Sequence, residues 1–196
     1  MGQTFATFTF TDSVKNAQEH YGSRKNYADS DSDPDRFTLT EREIPFIASR
    51  DSFYMSTVGE SGWPYMQFRG GPPGFLRVLD ERTIGFADFR GNRQFISTGN
   101  INATGKAMLF LIDYPTRSRL KIWATADIRD AGEDPELARQ LTVPDYQAKV
   151  ERLVTLTVQA IDWNCPQHIT PRYTIEQIGT GIANGDPAFD DLLPGR

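Results

Sequence analysis

The residues of this chain best placed to do chemistry are Arg90, Asn92 and Arg93, spaced around Gly91 where an apolar strand gives way to polar sequence. The pattern predicts a strand over residues 83–89, a sharp turn at Gly91 and a short helix from about Asn92. Asparagine is a good N-cap, and the first amides of a helix have no partner inside it. Free N–H groups at the positive end of a helix dipole seat a phosphate, and a guanidinium grips one through two parallel hydrogen bonds. The bland alternative is an ordinary strand–turn–helix with surface arginines.

Other stretches carry chemistry by residue type. Gln67-Phe68-Arg69-Gly70-Gly71 puts two glycines directly after a strand. That arrangement lets the backbone approach a flat ring such as a flavin, or else makes a bulge at a barrel corner. Arg117, Arg119 and Lys121 place three cations within five residues, either for an anion or as a solvated strand face. Trp163-Asn164-Cys165-Pro166-Gln167-His168-Ile169-Thr170-Pro171-Arg172 reads as a rigid loop closing over a planar ligand. Cys165 and His168 could also form a nucleophile pair, but with His20 as the only other histidine a metal site lacks ligands, and none is expected. Gly179-Thr180-Gly181-Ile182-Ala183-Asn184-Gly185 has the wrong spacing for a dinucleotide fingerprint. No side chain stands out as a general base, so the catalytic residues are unknown at this level.

The elements that must position these residues are mostly strands. Period-two alternation covers residues 53–58, 64–69, 75–79, 83–89, 120–128 and 153–161. Residues 106–113 carry a continuous apolar run that suits a strand covered on both faces. Helices are expected at 13–21, from Thr40 in a capping-box arrangement with Glu43, at 134–141 and at 145–151. About seven strands in hairpin order predict a mainly β (α+β) fold, a closed antiparallel barrel with peripheral helices at its rim. Residues 29–35 hold four aspartates in seven positions and read as a solvated linker. The expected organisation is an arm and linker over 1–36, a barrel domain over 37–178 and a tail over 179–196.

Composition narrows the class. A net charge of −5, from 21 Lys+Arg against 26 Asp+Glu, argues against a nucleic-acid binder. One cysteine excludes an internal disulfide. No run approaches the roughly 18 apolar residues of a membrane span, and no signal peptide is evident, so a cytoplasmic protein is expected.

Taken in order, several motifs together resemble the pyridoxamine 5′-phosphate oxidase-like, FMN-binding split-barrel family, and more narrowly a bacterial branch of it. They are Trp63-Pro64-Tyr65, Arg69-Gly70-Gly71-Pro72-Pro73-Gly74-Phe75, Asp88-Phe89-Arg90-Gly91-Asn92-Arg93-Gln94, Arg119-Leu120-Lys121-Ile122 and Asp162-Trp163-Asn164-Cys165-Pro166-Gln167-His168. The resemblance implies an antiparallel split β-barrel and a homodimer with FMN at the subunit interface. The family's Ser-Arg-Lys phosphate motif falls on Asn92-Arg93-Gln94, which leaves Arg93 as the main cation. Its flavin and ribityl contacts fall on Gln67, Phe68 and Arg69, with Gly70 following, and on Ala87 and Asp88. The segment donated by the second subunit falls on Arg119 to Lys121, and a C-terminal tryptophan and arginine fall on Trp163 and Arg172.

The implied activity is that of an FMN-dependent oxidoreductase, with a small-molecule substrate or an electron donor such as NAD(P)H. The further basic residues with which true pyridoxamine-phosphate oxidases hold the substrate phosphate have no counterpart here. The alternative is a non-catalytic flavin- or haem-binding barrel, and a deazaflavin such as F420 belongs to a sister branch.

Overall fold

The computed structural model describes residues 5–32, 37–163 and 166–192. Its centre is one antiparallel sheet of seven strands in the order β2-β1-β5-β6-β7-β4-β3. The strands are β1 (Ser52–Val58), β2 (Pro64–Gly70), β3 (Arg77–Val78), β4 (Thr83–Phe89), β5 (Lys106–Asp113), β6 (Ser118–Asp130) and β7 (Val150–Trp163). Around them lie α1 (Phe5–Thr9), α2 (Asp12–His20), α3 (Glu43–Ala48), α4 (Ile96–Thr104), α5 (Pro135–Leu141) and α6 (Ile175–Ala183). The fold is that of the split barrel, and it corrects the expectation of closure, because edge strands β2 and β3 are not hydrogen-bonded to each other.

Alternation along the strands builds the core. Phe53 and Met55 of β1, Ile84 and Phe86 of β4, Leu109 and Leu111 of β5, Leu120 and Ile122 of β6, and Leu156 and Val158 of β7 are all buried on the inner face. Phe53 stacks on Phe75 at 5.5 Å and meets Phe86 edge-on at 5.4 Å. Such aromatic pairs contribute about 0.5–1.5 kcal/mol beyond their buried area. A second layer lies behind β4 and β7, where Leu141 of α5 packs with Ala87 and Leu153. β4 is therefore buried on both faces, which makes it a rigid frame for whatever its C-terminal end presents.

Several local expectations need correction. The helix expected from Asn92 begins at Ile96. Arg93 and Phe95 take left-handed φ values of 61° and 55°, and the Asn92 side chain accepts from the Gln94 amide at 3.2 Å, which holds residues 91–95 as a loop. The helix expected at 145–151 is absent: Asp145 is also left-handed at φ 62°, and β7 starts at Val150. At the boundary expected between barrel domain and tail, Thr174 and Gln177 form a capping box that starts α6, which runs on into the expected tail. That S/T-x-x-Q signature stood in the sequence. Of β5, only Ala107, Leu109 and Leu111 are buried, while Met108, Phe110 and Ile112 are half-covered on the outer face.

Candidate functional site

Where β2, the end of β4 and the loop before α4 converge, the barrel opens into a cavity of about 200 Å³. Its wall comprises residues 91–98 with Tyr65, Gln67, Arg69, Asp88, Phe89 and Arg152. Register explains the gathering. Arg69, Gln67 and Tyr65 face Phe53, Met55 and Thr57 across the β1–β2 pair, so they share the inner face. Asp88 lies two residues beyond Phe86 on the inner face of β4, directly opposite Arg152 of β7.

The three charged side chains form one cluster. Arg69 Nη1 donates to Asp88 Oδ1. Arg152 donates to Asp88 Oδ2 through Nε at 2.9 Å and Nη2 at 2.7 Å. Asp88 is 2% exposed and each arginine side chain 15%. Because β2 and β4 lie near opposite ends of the sheet, the Arg69–Asp88 pair bridges the split that backbone hydrogen bonds leave open. Removing one member of such a buried pair costs about 3–5 kcal/mol, because the charge left behind is unpaired.

The loop completes the wall. Arg93 and Arg152 both approach the ring of Phe95, at 5.6 Å and 4.9 Å from its centre. Left-handed conformations at two non-glycine residues cost on the order of 1–3 kcal/mol each, and such strain clusters at ligand sites. Ser97 of α4 donates to Gln67 Oε1 at 3.0 Å, tying the helix to β2. Arg90 points away from the cavity wall and lies 3.6 Å from Glu151.

Of the residues singled out in sequence, Gln67, Arg69, Asp88, Asn92, Arg93 and Gln94 are brought together here. The others are not. Ala87 is buried under α5 on the opposite face of β4. Phe68 lies on the outer face of β2, 5.7 Å from Tyr54. A Cβ on Gly70 would stand 2.9 Å from the Phe68 ring, and one on Gly71 2.7 Å from Phe75, while the Gly71 amide donates to Asp51 at 2.9 Å. Close packing at a barrel corner therefore accounts for both glycines.

Lys121 is paired with Asp162 at 2.5 Å on the outer face of β6, and Arg119 lies on that strand two residues before it. Trp163 donates to Glu43 at 2.6 Å and is flanked by Phe46 and Arg42. Arg172 lies over the Tyr114 ring at 4.8 Å, in a separate outer groove of about 370 Å³ that includes Tyr54, Phe68 and Tyr173. Asn164 and Cys165 lie outside the described residues. Among the described residues no His, Cys, Asp and Glu group could hold a metal.

Arg152 was not singled out in the sequence. Its signal was an arginine two residues before Val154, at an inward position of a strand that is otherwise apolar on that face.

Comparison with known proteins now has a fold and a site to explain. The family described as pyridoxamine 5′-phosphate oxidase matches residues 39–163, and the chain belongs to that family. A putative pyridoxamine 5′-phosphate oxidase from Lactobacillus delbrueckii is similar at 20% identity, covering 65% of this chain and 96% of its own, with a TM-score of 0.51. HupZ of Group A Streptococcus matches at 16% identity over 69% of this chain and 99% of its own, with a TM-score of 0.50. An FMN-binding protein from Syntrophomonas wolfei matches at 16% identity over 79% and 96%, with a TM-score of 0.48. At these identities the first two structures speak for the fold alone. No curated protein matches the chain in sequence.

Proposed function

We propose that this protein is an FMN-binding flavoprotein acting as a homodimeric FMN-dependent oxidoreductase on a small molecule, and not as a true pyridoxamine-phosphate oxidase. The observation that carries the reading is the cavity wall, where three arginines and a strained loop surround a single aspartate. That donor set fits the phosphate of FMN. Among the described residues neither histidine nor cysteine lines the wall, which favours a phosphate there over haem iron.

Size sets how much of the cofactor enters. The cavity is about 200 Å³, below the roughly 300–1,000 Å³ of sites that enclose a drug-sized ligand. It suits the phosphate and part of the ribityl chain, so the ring must lie beyond the rim. The outer face carries Met66 at 65% exposure and Phe68 at 58%, next to Tyr54 and Val58. Exposed apolar surface of this kind marks an interaction site, which supports a second copy covering the ring. FMN, when bound, supplies hydride or electron transfer, with NAD(P)H as a candidate donor.

In this arrangement Arg93, Asn92 and Gln94 hold the phosphate, and Gln67 and Arg69 lie along the ribityl chain. Asp88, the only carboxylate of the wall among the described residues, is committed to two arginines and acts by holding them.

The absorbance of freshly purified protein tests the reading. A flavin spectrum that bleaches with NAD(P)H and returns in air, with FMN identified by mass spectrometry after denaturation, is expected. Arg93→Ala should weaken FMN binding about 10–150-fold, the equivalent of roughly 1.5–3 kcal/mol for one charge-assisted contact. Protein that neither contains nor takes up FMN overturns the proposal. Mixing Arg93→Ala and Lys121→Ala chains should restore one intact site per heterodimer, and no recovery would remove the shared-site geometry.

A further inference from the structure

We propose that Arg152 of β7 is a second phosphate-gripping residue of this cavity, with Asp88 as the positioning residue that holds Arg152 and Arg69 on either side of it. Together they make the site selective for a phosphate monoester dianion. The choice of ligand rests on the flavin-phosphate reading above; the choice of residue rests on the ion cluster itself.

Charge decides the ligand class. Arg69, Arg93 and Arg152 against Asp88 leave the wall with two positive charges in excess. Glu151 lies 3.4 Å from Arg152 and 3.6 Å from Arg90, and the opposite charges of Glu151 and Arg90 leave that excess unchanged. One of the two excess charges belongs to the Arg69–Asp88–Arg152 cluster, whose arginine side chains are only 15% exposed, and the other to exposed Arg93, so the wall is stabilised by an arriving anion. A monoester carries close to two negative charges above its second pKa of about 6, whereas a diester carries one.

Geometry decides the residue. The Asp88 carboxylate spans the two guanidiniums, one on each oxygen, so neither can turn away from the cavity without breaking its pair. Arg152 spends Nε and Nη2 on Asp88, and Nη1 lies 3.4 Å from Glu151 Oε2. A guanidinium has five donors, so it retains capacity for an oxyanion. Arg69 Nε is buried with no hydrogen-bond partner. Arg152 and Arg93 converge on Phe95 from different elements, a strand and the strained loop, which brings two cations to the same end of the cavity.

The test compares FMN with riboflavin, which shares the ring and lacks the phosphate, by fluorescence titration of the full chain. Wild type should prefer FMN, and the preference should grow from about pH 5 to pH 7 as the second phosphate proton leaves. Arg152→Gln should cut the FMN-to-riboflavin affinity ratio about 10–150-fold, leave riboflavin binding unchanged and flatten the pH rise. Arg152→Lys keeps the ion pair with Asp88 and guards against loss of folding. It should still cut the ratio, by about tenfold, because an ammonium lacks the planar fork. A ratio unchanged in Arg152→Lys overturns the proposal and leaves Arg152 a structural ion-pair partner. Should wild type bind neither flavin, the flavin reading fails separately. Phenyl phosphate then decides: a rise in Tm that Arg152→Gln abolishes upholds the phosphate role, and no rise in wild type overturns it.

Discussion

The inner cavity and the outer groove are built from alternate residues of the same strand and could hardly differ more. Gln67 and Arg69 of β2 point inward to a narrow, charged wall whose members are fixed by cross-strand partners. Phe68, between them, points outward to a broad groove with Tyr54, Tyr173 and Arg172, where the apolar surface is left half-exposed. The inner region is built by one chain: Arg69 and Arg152 share the counter-charge of Asp88, and the loop is strained into place. The outer region is the surface that a second copy would cover in the proposed dimer. That contrast explains why the residues matched by resemblance split into two sets, Gln67, Arg69, Asp88 and 92–94 inside, Phe68, Arg119, Lys121 and Arg172 outside.

The largest effect should come from breaking the inner cluster. Asp88→Ala leaves Arg69 without a counter-ion and Arg152 with only the longer contact to Glu151, and should cost about 3–5 kcal/mol in denaturant unfolding. A loss below about 1 kcal/mol would put the cavity on a par with an exposed ion pair and erase the contrast. Next is Trp163→Phe, which keeps the packing on Phe46 but removes the donor to Glu43, a residue only 6% exposed. The expected cost is about 1–3 kcal/mol by the same measurement, so this outlying tryptophan acts in the protomer's own fold.

Glu43 adds a pH test of that assignment. Burial pushes its carboxyl up, but hydrogen bonds from Thr40 and Trp163 outweigh burial and hold its pKa below the ordinary glutamate value. A carboxyl depressed in the folded state contributes stability above its unfolded pKa and loses it as pH falls through the folded value. Acid unfolding of wild type should therefore lose this contribution, and Glu43→Gln should flatten that part of the stability–pH curve. The smallest effect belongs to Arg172→Ala, exposed on the Tyr114 ring, which should change protomer stability by no more than about 0.5 kcal/mol. A larger change would tie the outer groove to the fold of one chain and weaken the case for a covering partner.

Much of this was legible in residue order. β1, β2 and the inward positions of β6 and β7 follow from period-two alternation. The loop around Arg93 was found by its residue types, though its helix was placed four residues too early. Left-handed backbone at Arg93 and Phe95 is set by tertiary packing and has no glycine to announce it. The closed barrel was over-read because hairpin order alone does not say whether the edge strands meet. Gly70 and Gly71 stood in the sequence between a ligand approach and a barrel corner, and the aromatic rings that fill the space beside them account for both by packing.

What the sequence by itself determined is the set of strands, their inward faces and a basic loop beside a glycine, because side-chain periodicity and turn chemistry are local. What only the tertiary structure decided is that Arg69, Asp88 and Arg152, separated by 19 and 64 positions, share one buried cluster. Strand order and register bring them together, and those depend on how the whole sheet curls around its apolar core.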